Sequence, residues 1–186
     1  MSEYIVEKSN NGLFENEIEI NGKYATIVRY LKEESKIFTT FREVYITAAI
    51  IGFLKNKTET KDASEKVQSA SIFTDQLRTR KLDIKFLFRV LMLVKEEPTF
   101  EIDDYMNRTF RDGSEEDGFA NLKEKMAIFN SYVCGGLEFL YDRFYNLHKK
   151  DDIINSVYEL IHEIAIDTGI LVPEGLPDFD IDSLGE

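Results

Sequence analysis

The sequence predicts an all-α fold, a compact multi-helix bundle with one long central helix and an irregular C-terminal tail. Three observations predict it. Apolar residues recur at steps of three and four through most of the 186-residue chain. One such seam, Phe119, Leu122, Met126, Phe129, Val133, Gly136, Leu140, Phe144 and Leu147, is long and unbroken. Three Pro and ten Gly are too few for a turn-rich β-sandwich.

The elements follow in order. Residues 1–21 are a mixed, polar lead-in, in which Glu17-Ile18-Glu19-Ile20 alternates as a short strand or extended segment would. Lys23 to Glu34 reads as an amphipathic helix with Tyr24, Ile27, Val28 and Leu31 on one face. Thr39 or Thr40 caps the next helix, Phe41 to Leu54, with Glu43 near its first turn. That helix is apolar nearly all round and reads as a central buried element; its β-branched residues make a strand the alternative. Residues 55–70 lack periodicity and read as an exposed loop. Ile72 to Glu96 is helical, in one piece or in two that break near Leu82-Asp83, and Pro98 ends it. Glu101 to Arg111 is a short helix, and 112–118 a turn.

The seam helix spans about Phe119 to Leu147, with Gly135-Gly136 in its middle. Each Gly costs a helix about 1 kcal/mol against Ala, so the pair implies close approach of another backbone, or a kink. Asp151 or Asp152 caps the last helix, which runs to Asp167 with Ile154, Val157, Tyr158, Ile161 and Ile164 inward. The expected organisation is a lead-in (1–21), one helical domain (22–167) and an acidic tail (168–186).

Charge is unevenly placed. Residues 1–100 carry 16 Lys/Arg and 15 Asp/Glu, whereas 101–186 carry 7 and 20, within a net charge of −12. Such an acidic surface keeps a protein soluble, favours basic partners, and repels nucleic acid and anionic membrane except where cations cluster. The longest apolar run, Ile84 to Val94, is broken by Lys85 and Arg89 and is too short to span a bilayer. Met1-Ser2-Glu3-Tyr4 is unlike a secretory signal. A single cysteine, Cys134, forms no internal disulfide and fits a reducing, cytoplasmic setting.

Chemistry-bearing patterns are sparse. One Cys and two His, His148 and His162, with neither HExxH nor CxxC, argue against a zinc site. Glu34-Ser35-Lys36 and Glu59-Thr60-Lys61 follow no buried strand, so a metal nuclease is disfavoured; Asp103, Asp104 and the acids of 115–117 suit capping and solvation. No G-x-S-x-G, phosphate loop or G-x-G-x-x-G occurs. We therefore expect no enzyme activity, no cofactor and no metal.

Two surface candidates remain. Arg78, Lys81, Lys85 and Arg89 share a face if 74–94 is one helix. That stripe either pairs with acids of the chain's second half or faces an acidic partner or nucleic acid. The tail places Leu176, Phe179, Ile181 and Leu184 among acids, which suits either docking to a partner or folding back over its own core.

Two stretches carry a resemblance. Ile37-Phe38-Thr39-Thr40-Phe41-Arg42-Glu43 leads into Ala48-Ala49-Ile50-Ile51-Gly52-Phe53, and Ile128 to Leu140 contains Tyr132-Val133-Cys134-Gly135-Gly136-Leu137-Glu138. Together, over about residues 37–160, they resemble the small proteins associated with bacterial DNA phosphorothioation (Dnd) gene clusters. Cys134 stands where that family usually has Asn, Ala or another small residue. The resemblance implies a bacterial, phage-defence-associated accessory protein and transfers no active site. On this basis the expected function is a non-enzymatic adaptor that binds a protein partner, with DNA reached through that partner and no membrane involved. An acidic DNA mimic that inhibits a DNA-binding enzyme is the alternative. Ala48, Ala49, Gly52, Gly135 and Gly136 are expected to let two helices approach closely.

Overall fold

The computed structural model describes residues 5–7, 13–14, 16–59, 69–95 and 116–170. Their architecture is mainly α. Two compact units are distinguished, Met1–Tyr145 and Asn146–Glu186.

The first unit opens with β1 (Ile5–Glu7) and β2 (Ile18–Asn21). β2 is central in an antiparallel sheet of order β1-β2-β3, where β3 is Ser69–Ile72. Ile18 pairs with Ile72 and Ile20 with Ala70, and all four are buried on one face. The period of two thus turns apolar residues inward and leaves Glu19 and Ser71 opposite. This sheet corrects the end of the loop reading, at Ser69 and Ala70, and the reading of Ile72 as helical; 55–59 carry no helix or strand, and 60–68 lie outside the described residues. The signal is short, two of its four residues are serines, and its pairing strand lies 48 or more positions upstream.

Helix α1 (Lys23–Arg29) starts after Gly22, whose φ of 64° and ψ of −139° suit only glycine. It continues as a π turn, Tyr30–Glu34, closed by Ser35 N–H donating to the Tyr30 carbonyl at 2.9 Å. Tyr24, Ile27, Val28 and Leu31 are buried. Helix α2 (Phe41–Leu54) begins with a capping box: Glu43 N–H donates to Thr40 Oγ1 at 3.2 Å, and Thr40 N–H donates to Glu43 Oε2 at 3.1 Å.

Helices α3 (Thr74–Arg78) and α4 (Lys81–Lys95) follow β3. The break lies at Thr79-Arg80, one turn before the expected place. Arg42 fixes it by donating from Nη1 to the Gln76 carbonyl at 2.8 Å and to Thr79 Oγ1 at 2.9 Å. Helix α5 (Glu116–Phe144) is the long element, and its main neighbour is α2. The aromatic centre of the core joins Phe14, α4 and α5. Phe88 and Phe129 lie 5.4 Å apart, each 5.9 Å from Phe14, with Tyr45 of α2 5.8 Å from Phe129. Tilted and edge-on pairs of this kind add about 1 kcal/mol each beyond area burial.

In the second unit, α6 (Lys150–Asp167) starts from Lys149, which makes no side-chain cap. Asp151 and Asp152 sit in the first turn instead, where they complement the helix dipole rather than cap. Leu160 is buried, whereas Tyr158 and Ile161, expected inward, are exposed.

Candidate functional site

The centre of the first unit is a close meeting of α2 and α5. A Cβ on Gly136 would overlap the Ala48 carbonyl oxygen and lie 2.6 Å from its carbon. A Cβ on Gly52 would lie 2.8 Å from the Tyr132 carbonyl carbon and 3.0 Å from Gly136 N. Gly135 meets the chain just after α2, 2.5 Å from the Lys57 carbonyl carbon on the same construction. Ala48, Ala49, Gly52, Gly135 and Gly136 are all buried. Glycine is required here because any side chain would push backbone against backbone. Tyr45 Oη donates to Asn130 Oδ1 at 2.8 Å, and Glu59 N–H donates to the Ser131 carbonyl at 3.0 Å, so polar groups along this junction are also paired.

Beside it lies a polar cluster that sequence spacing could not show, because its members are over a hundred positions apart. Tyr24 is fully buried, and its hydroxyl donates to Glu138 Oε1 at 3.2 Å. Lys23 Nζ pairs with the same carboxylate oxygen. Burial first, then the nearby Cys134 and Glu138, push the Tyr24 phenol far above its ordinary range. The Cys134 thiol is pushed up to about 12, chiefly by burial, which outweighs a Tyr24 hydrogen bond acting the other way. Both groups are therefore neutral at pH 7. A neutral buried thiol is a poor nucleophile, so the cluster secures α1 to α5 rather than offering a reactive group.

The basic stripe falls on two helices, which corrects the single-face reading. Arg78 ends α3 and is exposed; Lys81, Lys85 and Arg89 lie on α4 and are half-buried. Each of those three already holds an interaction within the protein. The tail residues Leu176, Phe179, Ile181 and Leu184 lie outside the described residues. Among the described residues no three His, Cys, Asp or Glu side chains gather as a metal ion requires. No described helix is long and apolar enough to cross a membrane.

Among the described residues, large apolar side chains nevertheless remain in solvent, singly at Leu54, Phe73, Tyr145 and Ile170 and in threes on two helices. On α4, Leu82 is 81% and Phe86 64% exposed, with Val94 beyond them. On α6, Tyr158 is 48% and Ile161 62% exposed, and Ile166 follows, with Ile170 beyond the end of the helix. These two faces are the candidate binding surfaces. No protein-family model, curated protein or solved structure matches the chain.

Proposed function

We propose that this chain is a non-enzymatic adaptor or accessory subunit of a bacterial DNA modification or anti-phage defence system, working in the cytoplasm through a protein partner. The observation that carries the binding role is the solvent-facing pair Leu82 and Phe86 on α4 and, taken by itself, the pair Tyr158 and Ile161 on α6. Exposed apolar area gathered in this way marks interaction surfaces. The interior is given over to packing: its glycines are filled by backbone, and its buried thiol and phenol are neutral. The defence setting rests on the resemblance of 37–160 to the phosphorothioation-associated proteins.

A DNA mimic is the second reading, favoured by the 20 acids against 7 cations of residues 101–186. The exposed isoleucines count against it, since a phosphate-like surface has no use for them. Tagged full-length chain, purified from its native host after cross-linking, tests the adaptor reading. A DNA-modifying or defence protein identified in the complex supports it. Recovery of the chain alone overturns it.

A further inference from the structure

Three tyrosines meet at the C-terminal end of α5. Tyr141 and Tyr145 lie 4.8 Å apart with their rings 35° from parallel, and Tyr145 N–H donates to the Tyr141 carbonyl at 2.7 Å. Tyr30 stands edge-on to Tyr141 at 5.3 Å and tilted to Tyr145 at 5.9 Å. It is buried, and its hydroxyl donates to the Phe144 carbonyl at 3.1 Å, so it braces the other two from the core side. Tyr141 is half-buried and Tyr145 is 49% exposed, which leaves aromatic surface in solvent.

The surroundings of this surface are anionic. The π turn Tyr30–Glu34 carries the chain from buried Tyr30 to exposed Glu34. Turns of this kind are found often at functional sites. Burial foremost, then Tyr145 and Tyr30, and after them the Glu34 carboxylate push the Tyr141 phenol up, so Glu34 lies within electrostatic reach of the rings. Asp142, also exposed, is one helical turn from Tyr145. Among the described residues neither of these carboxylates takes an ion pair or a hydrogen bond. The carbonyl end of α5 adds partial negative charge. The cations nearest in sequence are engaged elsewhere. Lys32 lies over the Phe41 ring at 4.4 Å and pairs with Glu33. Arg143 is two positions from both tyrosines, hence on another side of the helix, and already holds an interaction.

We infer that this corner receives an arginine side chain of a partner protein, with the guanidinium stacked on Tyr145 and Tyr141 and its N–H groups directed to Glu34, while Asp142 adds to the attraction. This rests on the adaptor reading and names one contact its partner makes. A guanidinium fits because it is planar, lies flat on an aromatic ring and still donates in its own plane to a carboxylate. A lysine ammonium is compact and strongly hydrated and gains less from the ring. A quaternary ammonium needs rings that stand apart and enclose it, whereas these rings touch one another. Phosphate groups of nucleic acid or lipid are repelled by the two acids.

The test uses the full chain and a labelled Gly/Ser peptide that carries spaced arginines, beside an identical peptide with lysines. The arginine peptide is expected to bind about threefold more tightly than the lysine one, and to shift the Tyr141 and Tyr145 ring resonances in NMR spectra. Its affinity is expected to fall about threefold in Tyr145→Leu, which keeps apolar bulk without a π face, and to be retained in Tyr145→Phe. Glu34→Gln is expected to weaken it by a similar factor. Both substituted positions are exposed, so the circular dichroism spectrum and melting temperature are expected to stay unchanged; should Tyr145→Leu unfold, Glu34→Gln and the ring shifts decide. Equal binding of the two peptides shows charge alone at work and overturns the inference. Undiminished binding by Tyr145→Leu or by Glu34→Gln, or ring resonances that do not move, also overturns it. Where the native-host complex forms equally well with Tyr145→Leu/Glu34→Gln, this inference fails and the adaptor reading stands; where no complex forms with either chain, the adaptor reading itself fails.

Discussion

Gly136 of α5 rests directly on the backbone of Ala48 in α2, with no room between them for a single methyl group. Two opposed effects meet at this position. In an isolated helix, Gly→Ala gains about 1 kcal/mol of helix propensity. Here the added carbon would meet a carbonyl, which cannot swing aside as a side chain can. Overpacking of a core costs about 1–3 kcal/mol, and more where backbone must move.

Gly136→Ala and Gly52→Ala are therefore each expected to lower stability by about 3 kcal/mol despite their better helix propensity. Urea denaturation followed by circular dichroism measures this. An unchanged midpoint in either variant would show that the two helices do not nest as described.

Phe129 touches Phe14, Tyr45 and Phe88, and so holds α2, α4 and α5 to a common centre. Phe129→Ala is expected to cost about 3–5 kcal/mol, as a fully buried aromatic replaced by a cavity does. Leu82→Ser and Phe86→Ser, on the outer face of α4, are expected to stay within about 0.5 kcal/mol of the parent. A large loss at Phe86 would place that ring in the core.

Glu43 accepts hydrogen bonds from the Thr39 hydroxyl, at 2.7 Å, and from the Thr39 and Thr40 N–H groups. The Thr39 hydroxyl foremost holds its pKa below the ordinary 4.5. A carboxylate depressed in this way stabilises the fold above its unfolded pKa of 4.5, and the contribution is lost as pH falls through the lower folded value. Between about pH 6 and about pH 3 the parent is expected to lose more stability than Glu43→Gln. Parallel pH profiles of the two would refute a role for this carboxylate.

Burial raises the Cys134 thiol from 9.0 to about 12. Its stabilising contribution is complete below 9.0 and is lost as pH rises through about 12. Tyr24 shifts in the same direction for the same reason, so alkaline unfolding is expected to draw on both. Cys134→Ala is expected to flatten the upper part of the stability profile. At neutral pH, Ellman's reagent is expected to label the native chain slowly and the denatured chain at once; immediate native labelling would contradict the burial.

Several elements were legible because their signals are local. Thr40 and Glu43 mark the start of α2 within four residues, and the glycines of α5 stand out against a seam of otherwise strong helix formers. Strand β3 was not legible, because Ser69-Ala70-Ser71-Ile72 reads as a strand only beside Ile18 and Ile20. The break that divides the basic stripe was expected one turn too late, near Leu82-Asp83, for a similar reason. Thr79-Arg80 contains neither Pro nor Gly, and its anchor, Arg42, comes from a distant helix. On α6, amphipathicity was visible, but apolar residues cover a wide arc. Periodicity does not say which edge of that arc turns inward, and the structure buries Leu160 while leaving Ile161 in solvent.

The central strand has a consequence for how the chain assembles. Its pairing with β1 joins near neighbours, whereas its pairing with β3 must wait until everything from Gly22 to Gln68 has been gathered in. Arg29 Nη2 donates to the Ser69 carbonyl at 2.6 Å, so the last strand is also tethered to the first helix only once it arrives. Closing so long a span costs entropy before it returns any enthalpy. In refolding, amide protons of 69–72 should thus gain exchange protection after those of 41–54, the sheet completing a scaffold already raised by the helices.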